Sequence, residues 1–437
     1  MSDQRPGAGA PIGAGFLYAV ARRVIAVKSQ EVPALAWAWL YIFAVLSSYY
    51  IMRPIREQMA VAGGVQNIQW LFTATLAGLL LLNVPFAYLV KTLPRSRFIP
   101  ITYRFFAANI LLFAVILHYV DAAQSVWIGR AFFVWISVFN LFVVSVFWAL
   151  VVDVFNPEQG KRLFGFIAAA ATIGAICGSS ITASLARHVP VGALLIGAAL
   201  LLEVAVLAVG GLSRISVALH ARPDEKGEQP IGGNLLAGIT HPFKSAYLAN
   251  ISLFILLFAI TSTFLYFQQA TLVRDNFHDR ASQTAFFAQI DLAVNVITLV
   301  IQLFFTGRIL GFLGVGLTLM VLPLLTMFGF STLALMPAIS TLVIFQVLRR
   351  SSDYAIARPT REVLYTVVPR EDRYKAKNFI DTVVYRAGDQ IGAWTYALVA
   401  MLGFGHSILA AIAVGLAALW LVNAWWLGRK QEGMARA

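Results

Sequence analysis

Residues 191–212 read VGALLIGAALLLEVAVLAVGGL and are followed, from Ser213 to Lys244, by the one long polar stretch inside the chain. The first part is an apolar run of the length that crosses a bilayer, about 20 residues. The second holds RPDEKGEQP at 222–230, a charged composition that belongs in water. Outward from this junction, five apolar runs precede residue 191, at 33–61, 67–90, 99–119, 126–153 and 163–186. Six follow residue 244, at 245–268, 282–306, 312–335, 338–367, 378–403 and 406–427. The chain reads as an all-α polytopic membrane protein with twelve transmembrane helices in two six-helix bundles. The expected organisation is a cytoplasmic N-terminal segment (1–32), a first bundle (33–212), a cytoplasmic linker (213–244), a second bundle (245–427) and a cytoplasmic tail (428–437).

Composition agrees. Of 437 residues 59% are hydrophobic and 12% charged, where a soluble domain carries roughly 25% charged residues. The N-terminal 30 residues are polar and lack an apolar core followed by a small-residue cleavage site, so no signal peptide is read. The single cysteine, Cys177, excludes an intramolecular disulfide within the chain. No pair among the six histidines has metal-ligand spacing, so neither metal nor cofactor is implied.

The formal charge of +13 would suggest nucleic acid on a soluble protein. Here its distribution gives another reading. With both termini cytoplasmic, twenty-one of the 33 basic residues fall on the cytoplasmic side. Only Arg187, Arg274 and Arg280 fall opposite. Excess Lys and Arg in cytoplasmic loops sets orientation, which predicts a multi-pass membrane protein with cytoplasmic termini and no nucleic-acid partner.

The remaining nine basic residues lie inside the spans, and all are arginine: 53, 56, 104, 130, 349, 350, 358, 361 and 386. A charge at mid-membrane costs about 2.5–3.5 kcal/mol even on a lenient scale. Buried ion pairs that hold helices together would explain some of them, but nine exceed what packing needs. Two groups share a motif: Arg53-Pro54-Ile55-Arg56-Glu57 and Arg358-Pro359-Thr360-Arg361-Glu362. In each, Arg, Arg and Glu stand at i, i+3 and i+4, on one helical face. The proline should kink the helix and free a carbonyl beside a cavity. Arginine presents a planar fork of donors suited to phosphate or carboxylate. Span ten also aligns Arg350, Asp353 and Arg361 on one stripe, while span eleven carries Asp381, Arg386 and Asp389. These opposite charges predict a switchable ion-pair network between spans ten and eleven.

Several familiar chemistries are missing. There is no G-x-x-x-x-G-K-[ST], no His-Glu-x-x-His, no serine elbow and no hydrolase-like carboxylate cluster. No enzymatic activity is expected. Ala168–Ala171 and Gly174-Ala-Ile-Cys-Gly178 have the spacing that lets helices approach closely. Gly307-Arg308 with Gly311 and Gly314 forms part of a major facilitator loop signature.

Twelve spans divided six and six resemble the major facilitator superfamily. The charged motifs resemble a narrower group, the ATP:ADP antiporters of plastids and intracellular bacteria, through its bacterial relatives. YIMRPIRE (50–57) is similar to that family's Tyr-x-x-Arg-Asp-x-Lys-Asp, and DYAIARPTRE (353–362) to its Tyr-x-x-x-Asp-Pro-Thr-Lys-Glu. YKAKNFID (374–381) is similar to its Lys-x-Lys-Ala-Ala-Ile-Asp. The chain departs from the pattern at Arg56 and Arg361, where the family has lysine, and at Pro54 and Arg358, where it has aspartate. At Asp389 an acid replaces the family's Gly-Lys-Ser-Gly lysine, which counts against strict ATP:ADP exchange.

The resulting expectation is a secondary active transporter of an anionic, phosphate-bearing substrate, a nucleotide or related metabolite, working by alternating access. Arg53, Arg56, Arg350, Arg358, Arg361 and Arg386 are the expected substrate-binding residues. Glu57, Asp353, Glu362, Asp381 and Asp389 are the expected charge partners and gates. Membrane lipid is the other expected partner, and the chain is taken as a monomer. Transport of an anionic lipid or lysophospholipid, or a membrane enzyme acting on lipid phosphates, are the alternatives.

Overall fold

The computed structural model describes residues 27–93, 95–219, 245–369, 376–377 and 379–436. The expected N-terminal segment up to residue 26, the expected linker from residue 220 and the stretch 370–375 lie outside the described residues. Those described form helices and short turns, with no strand among them. In chain order the helices are α1 (Val32–Ala62), α2 (Ile68–Thr92), α3 (Arg95–Tyr119), α4 (Ala122–Val154), α5 (Pro157–Leu185) and α6 (Val191–Leu219). They continue with α7 (Ala246–Asn276), α8 (Arg280–Phe304), α9 (Thr306–Leu335), α10 (Ile339–Ser352), α11 (Arg358–Leu364), α12 (Tyr385–Met401) and α13 (His406–Arg436).

Each apolar run of the sequence is found as helix, because a chain in lipid must satisfy its backbone polar groups internally. Among the described residues ten helices are long and apolar enough to cross a membrane. The other two runs are spans ten and eleven, the two richest in charge. A π-helical turn at Asp353–Ala357 joins α10 to α11, and another at Ile380–Val384 leads into α12. Polar punctuation sits where helices begin. The Asn156 side chain accepts from the Gln159 N–H at 2.9 Å, and the Gln159 side chain is bonded back to the Asn156 N–H, so α5 starts in a reciprocal cap with Pro157 in its first turn. α9 starts earlier than the expected 312 and bends at Gly314, whose φ of +69° only glycine adopts without strain.

The chain forms two compact units, and the division passes between Arg53 and Pro54 within α1. Among the described residues the first comprises 27–53, 81–93, 95–120 and 136–219. There α5 lies against α1 so closely that a Cβ on Gly174 would stand 3.1 Å from the Phe43 Cα. A Cβ on Gly178 would stand 3.0 Å from the Tyr50 Cβ. Across this small-residue seam Ser47 donates to the Gly174 carbonyl at 3.0 Å and Thr182 to the Ile51 carbonyl at 3.1 Å. Such interhelical bonds contribute about 0.6–2 kcal/mol each in a membrane.

Among the described residues the second unit comprises 54–80, 121–135, 245–369, 376–377 and 379–436. α12 packs along α7 through Gly388 and Gly392. A Cβ on Gly392 would stand 3.0 Å from the Thr263 Cβ and 3.1 Å from the Ile260 Cα. α9 and α13 meet at Gly316 and Gly428. Most of the expected site residues belong to this unit.

Candidate functional site

Pro359 organises the centre of the site. It has no N–H to give the Ala355 carbonyl, and its ring crowds that carbonyl in a regular helix. The chain widens here instead of breaking: the Arg358 N–H bonds the Asp353 carbonyl, five residues back. Two carbonyls in the π-turn are met from neighbouring helices. Thr306 Oγ1 donates to the Ala355 carbonyl at 2.7 Å, and Gln302 Nε2 donates to the Tyr354 carbonyl at 3.3 Å. The extra residue also changes which side chains meet. In an α-helix residues five apart point about 140° away from one another. Across the π-turn Arg358 Nε reaches Asp353 Oδ2 at 3.0 Å.

The same turn breaks the expected stripe of Arg350, Asp353 and Arg361. Asp353 takes Arg358, while Arg350 turns to α8 and pairs with Asp291 at 2.8 Å. The Arg361 guanidinium lies 5.6 Å from the centre of the Phe258 ring. Among the described residues no carboxylate lies within ion-pair distance of it. Its motif neighbour Glu362 pairs with Lys377. In α12, Arg386 holds Asp389 one turn away at 3.1 Å. Asp381 is exposed on the second π-turn, within electrostatic reach of Arg361, Lys377 and Arg358. The pairs expected between spans ten and eleven are therefore mostly formed within one helix or with α8, with Glu362–Lys377 as the exception.

Aromatic and hydroxyl side chains complete the cluster. Arg358 is half exposed and lies 4.4 Å from the centre of the Tyr354 ring, a cation–π distance. Tyr385 is within electrostatic reach of Arg358, Asp353, Arg386 and Asp389. Arg349 differs from the rest. It is 3% exposed and hydrogen-bonds Thr326 on α9 at 3.1 Å and Thr261 and Ser262 on α7, each at 3.0 Å. Its charge is solvated by hydroxyls and the Phe258 ring, so it ties three helices together. Arg349, Arg350, Arg358, Arg361 and Arg386 thus gather around four aspartates, 291, 353, 381 and 389, which leaves the cluster cationic.

The first motif is arranged differently. α1 runs through Pro54 as continuous helix. Arg53, in the first unit, lies 5.6 Å from the centre of the Tyr50 ring. Arg56 pairs with its neighbour Glu57 and lies 5.0 Å from the centre of the Phe133 ring. Glu57 is buried, and Tyr266 of α7 donates to its Oε2 at 2.5 Å. Nearby in the second unit, Thr73 of α2 donates to Gln390 of α12 at 2.9 Å, and Trp70 packs edge-on against Trp394. In this motif the arginine at the fourth position is neutralised by its own glutamate. In the second motif it is not.

Sequence reasoning missed Asp291, although it is the only charged residue from Ser282 to Thr306 and a lone acid in a span is itself a functional signal. It also missed Tyr266, Tyr354, Tyr385 and Phe258. Tyr354 stands at the tyrosine of the second family motif, which marks it; aromatic residues are so common in this chain that nothing local marks the other three. Among the described residues no three His, Cys, Asp or Glu side chains are grouped to hold a metal ion.

The ten membrane-length apolar helices define a multi-pass membrane protein, and its fold is that of the major facilitator transporters. A POT family peptide transporter superposes with a TM-score of 0.62 at 11% identity, covering 92% of this chain and 96% of that one. The nucleoside transporter NupG superposes with a TM-score of 0.57 at 13% identity, covering 91% and 99%. In sequence, the chain is similar to ADP,ATP carrier protein 1 of Chlamydia pneumoniae, 24% identical over 344 residues. That match covers 68% of this chain and 66% of the relative, just under two thirds of its length. No protein-family model matches the chain.

Proposed function

We propose that the protein is a secondary transporter of a small phosphate-bearing anion, a nucleotide or related metabolite, moved by alternating access between its two six-helix sequence halves. The observation that carries this reading is the cationic cluster of α10 to α12. Arg361 makes no ion pair there among the described residues, with Asp381 only within electrostatic reach, and Arg358 is half exposed. An intramembrane arginine with no carboxylate in contact is stabilised by an anion that visits it.

In this reading Arg358, Arg361 and Arg386 hold phosphate oxygens, with Arg350 beside them. Asp353 and Asp389 release their arginines as the anion arrives and take them back as it leaves. Arg53, Arg56 and Glu57 act at the opposite, non-cytoplasmic end, with Glu57 as the gate. Both termini face the cytoplasm. The likeness to an ADP,ATP carrier supports a nucleotide, and Asp389 argues for a substrate range other than strict ATP:ADP exchange.

The test is counterflow of radiolabelled nucleotides, sugar phosphates and lysophospholipids in proteoliposomes holding the full chain. Accumulation of a nucleotide or phosphorylated metabolite, abolished by Arg361→Ala, is the expected result. Accumulation of the lysophospholipid alone would replace the reading with the lipid one.

A further inference from the structure

In the first unit one ion pair lies where lipid should be. α3 and α6 pack along each other, and their candidate spans are Arg97–Tyr119 and Val191–Ile215. Glu203 stands twelve residues from either end of the second span, about 18 Å at the helical rise, and Arg104 seven residues from the start of the first, about 10 Å. Arg104 Nε meets Glu203 Oε2 at 3.4 Å, so the two share one depth in the membrane. Yet the side chains are 62% and 43% exposed. Around them the same face is apolar and open: Ile101, Phe105, Leu200 and Leu207 are all exposed. It also carries small residues. Ala108 is exposed one turn from Arg104, and nothing lies within 4 Å of a Cβ on Gly197.

A mid-membrane charge normally turns inward to a cavity or a partner. Arg104 and Glu203 turn outward. Only Nε of the guanidinium is engaged, and among the described residues its two terminal nitrogens meet no acceptor. Lipid tails offer them none.

We infer that this face is the interface of a parallel two-fold dimer, in which Arg104 and Glu203 of one copy pair with Glu203 and Arg104 of the other. A base and an acid side by side at one depth are self-complementary about a two-fold axis along the membrane normal. The axis sets the four charges in an alternating ring at that depth. Each guanidinium then gains a second carboxylate for its terminal nitrogens, in the forked geometry arginine favours. Ala108 and Gly197 let the backbones approach, and the exposed apolar side chains pack around the ring. The dimer takes the place of the monomer expected from the sequence and does not depend on the identity of the substrate.

The test uses full-length protein extracted into native lipid nanodiscs and sized by mass photometry. It is paired with disulfide cross-linking of an Ala108→Cys variant in a Cys177→Ser background. Wild type should be dimeric, and Ala108→Cys should cross-link to itself. Arg104→Glu and Glu203→Arg should each be monomeric, because each puts four like charges in the ring. The double swap should recover at least half of the dimer. A monomeric wild type with no cross-link overturns the inference, with lipid and water then solvating the pair. A dimer that both reversals leave intact overturns it as well. Should a reversal fail to fold, the Ala108→Cys cross-link decides alone.

Discussion

Asp353 and Arg358 are five residues apart and pair at 3.0 Å only because a π-turn lies between them. Pro359, with no N–H to give the Ala355 carbonyl, stands just past the turn. The turn sets which arginines of the helix find carboxylates in their own chain and which are left for another anion.

Thr306 is the first probe of this arrangement. Its hydroxyl serves the Ala355 carbonyl that Pro359 leaves without a donor. Thr306→Val should lower stability by about 0.6–2 kcal/mol, the range for such bonds in membranes. In a Pro359→Ala background the residue 359 N–H can take that carbonyl, and the same substitution should be close to neutral. Thermal unfolding of the four proteins closes the double-mutant cycle. Equal losses in both backgrounds would show that the proline does not set the turn.

Arg349 and Arg361 should separate structure from transport. Arg349→Gln removes the hub joining α7, α9 and α10 and should lower the unfolding temperature markedly. Arg361→Gln touches no ion pair among the described residues. It should leave unfolding unchanged while reducing uptake at least tenfold. Unfolding temperatures and initial uptake rates on the same preparations check both.

Close packing of α12 on α7 gives a third expectation. Gly392 faces Thr263 Cβ and the Ile260 backbone with no room for a side chain. Gly392→Val should destabilise the protein by about 1–3 kcal/mol, the usual magnitude for overpacking. Gly415, whose Cβ would meet nothing within 4 Å, is the control, and its substitution by alanine should not destabilise. Chemical or thermal unfolding in detergent reads the contrast.

Much of this was legible in the sequence. Ten of the apolar runs appear as helices of membrane-crossing length, because length and hydropathy specify such a segment, while the two charged runs, ten and eleven, are interrupted by π-turns. The arginines of spans one and ten announced themselves as intramembrane charges. Glu57 and Asp353 were expected among their partners, but Asp291 was not. The stripe of Arg350, Asp353 and Arg361 assumed 3.6 residues per turn throughout, and the π-turn before Pro359 inserts one residue into that count. Arg350 was left to find Asp291 on another helix, a long-range contact that no local pattern encodes. The two motifs read alike in sequence yet differ in space. α1 runs on through Pro54, and the chain at Pro359 widens.

Glu31 supplies a pH prediction outside the membrane. It is buried and accepts from the Lys28 N–H at 2.9 Å, Arg162 at 2.8 Å and Gln159 at 3.1 Å. Burial raises its pKa, but the bonds from Arg162, the Lys28 backbone and Gln159 outweigh it and hold the carboxyl below its ordinary value of 4.5. A carboxyl depressed on folding stabilises above its unfolded value, and that stabilisation is lost as pH falls through the folded one. Glu31→Gln should therefore cost about 1.5–3 kcal/mol at neutral pH, and the difference from wild type should shrink below pH 4.5. Unfolding followed from pH 7 to pH 3 tests this, and a constant difference would contradict it.

The central claim is that the arginines around the π-turn receive a phosphate-bearing anion. Its most direct measurement is counterflow of labelled nucleotide into proteoliposomes by wild type and by Arg358→Ala and Arg361→Ala proteins of equal unfolding temperature. The account predicts accumulation by wild type and near-background signal from both variants. Variants that fold normally and transport at the wild-type rate would contradict it.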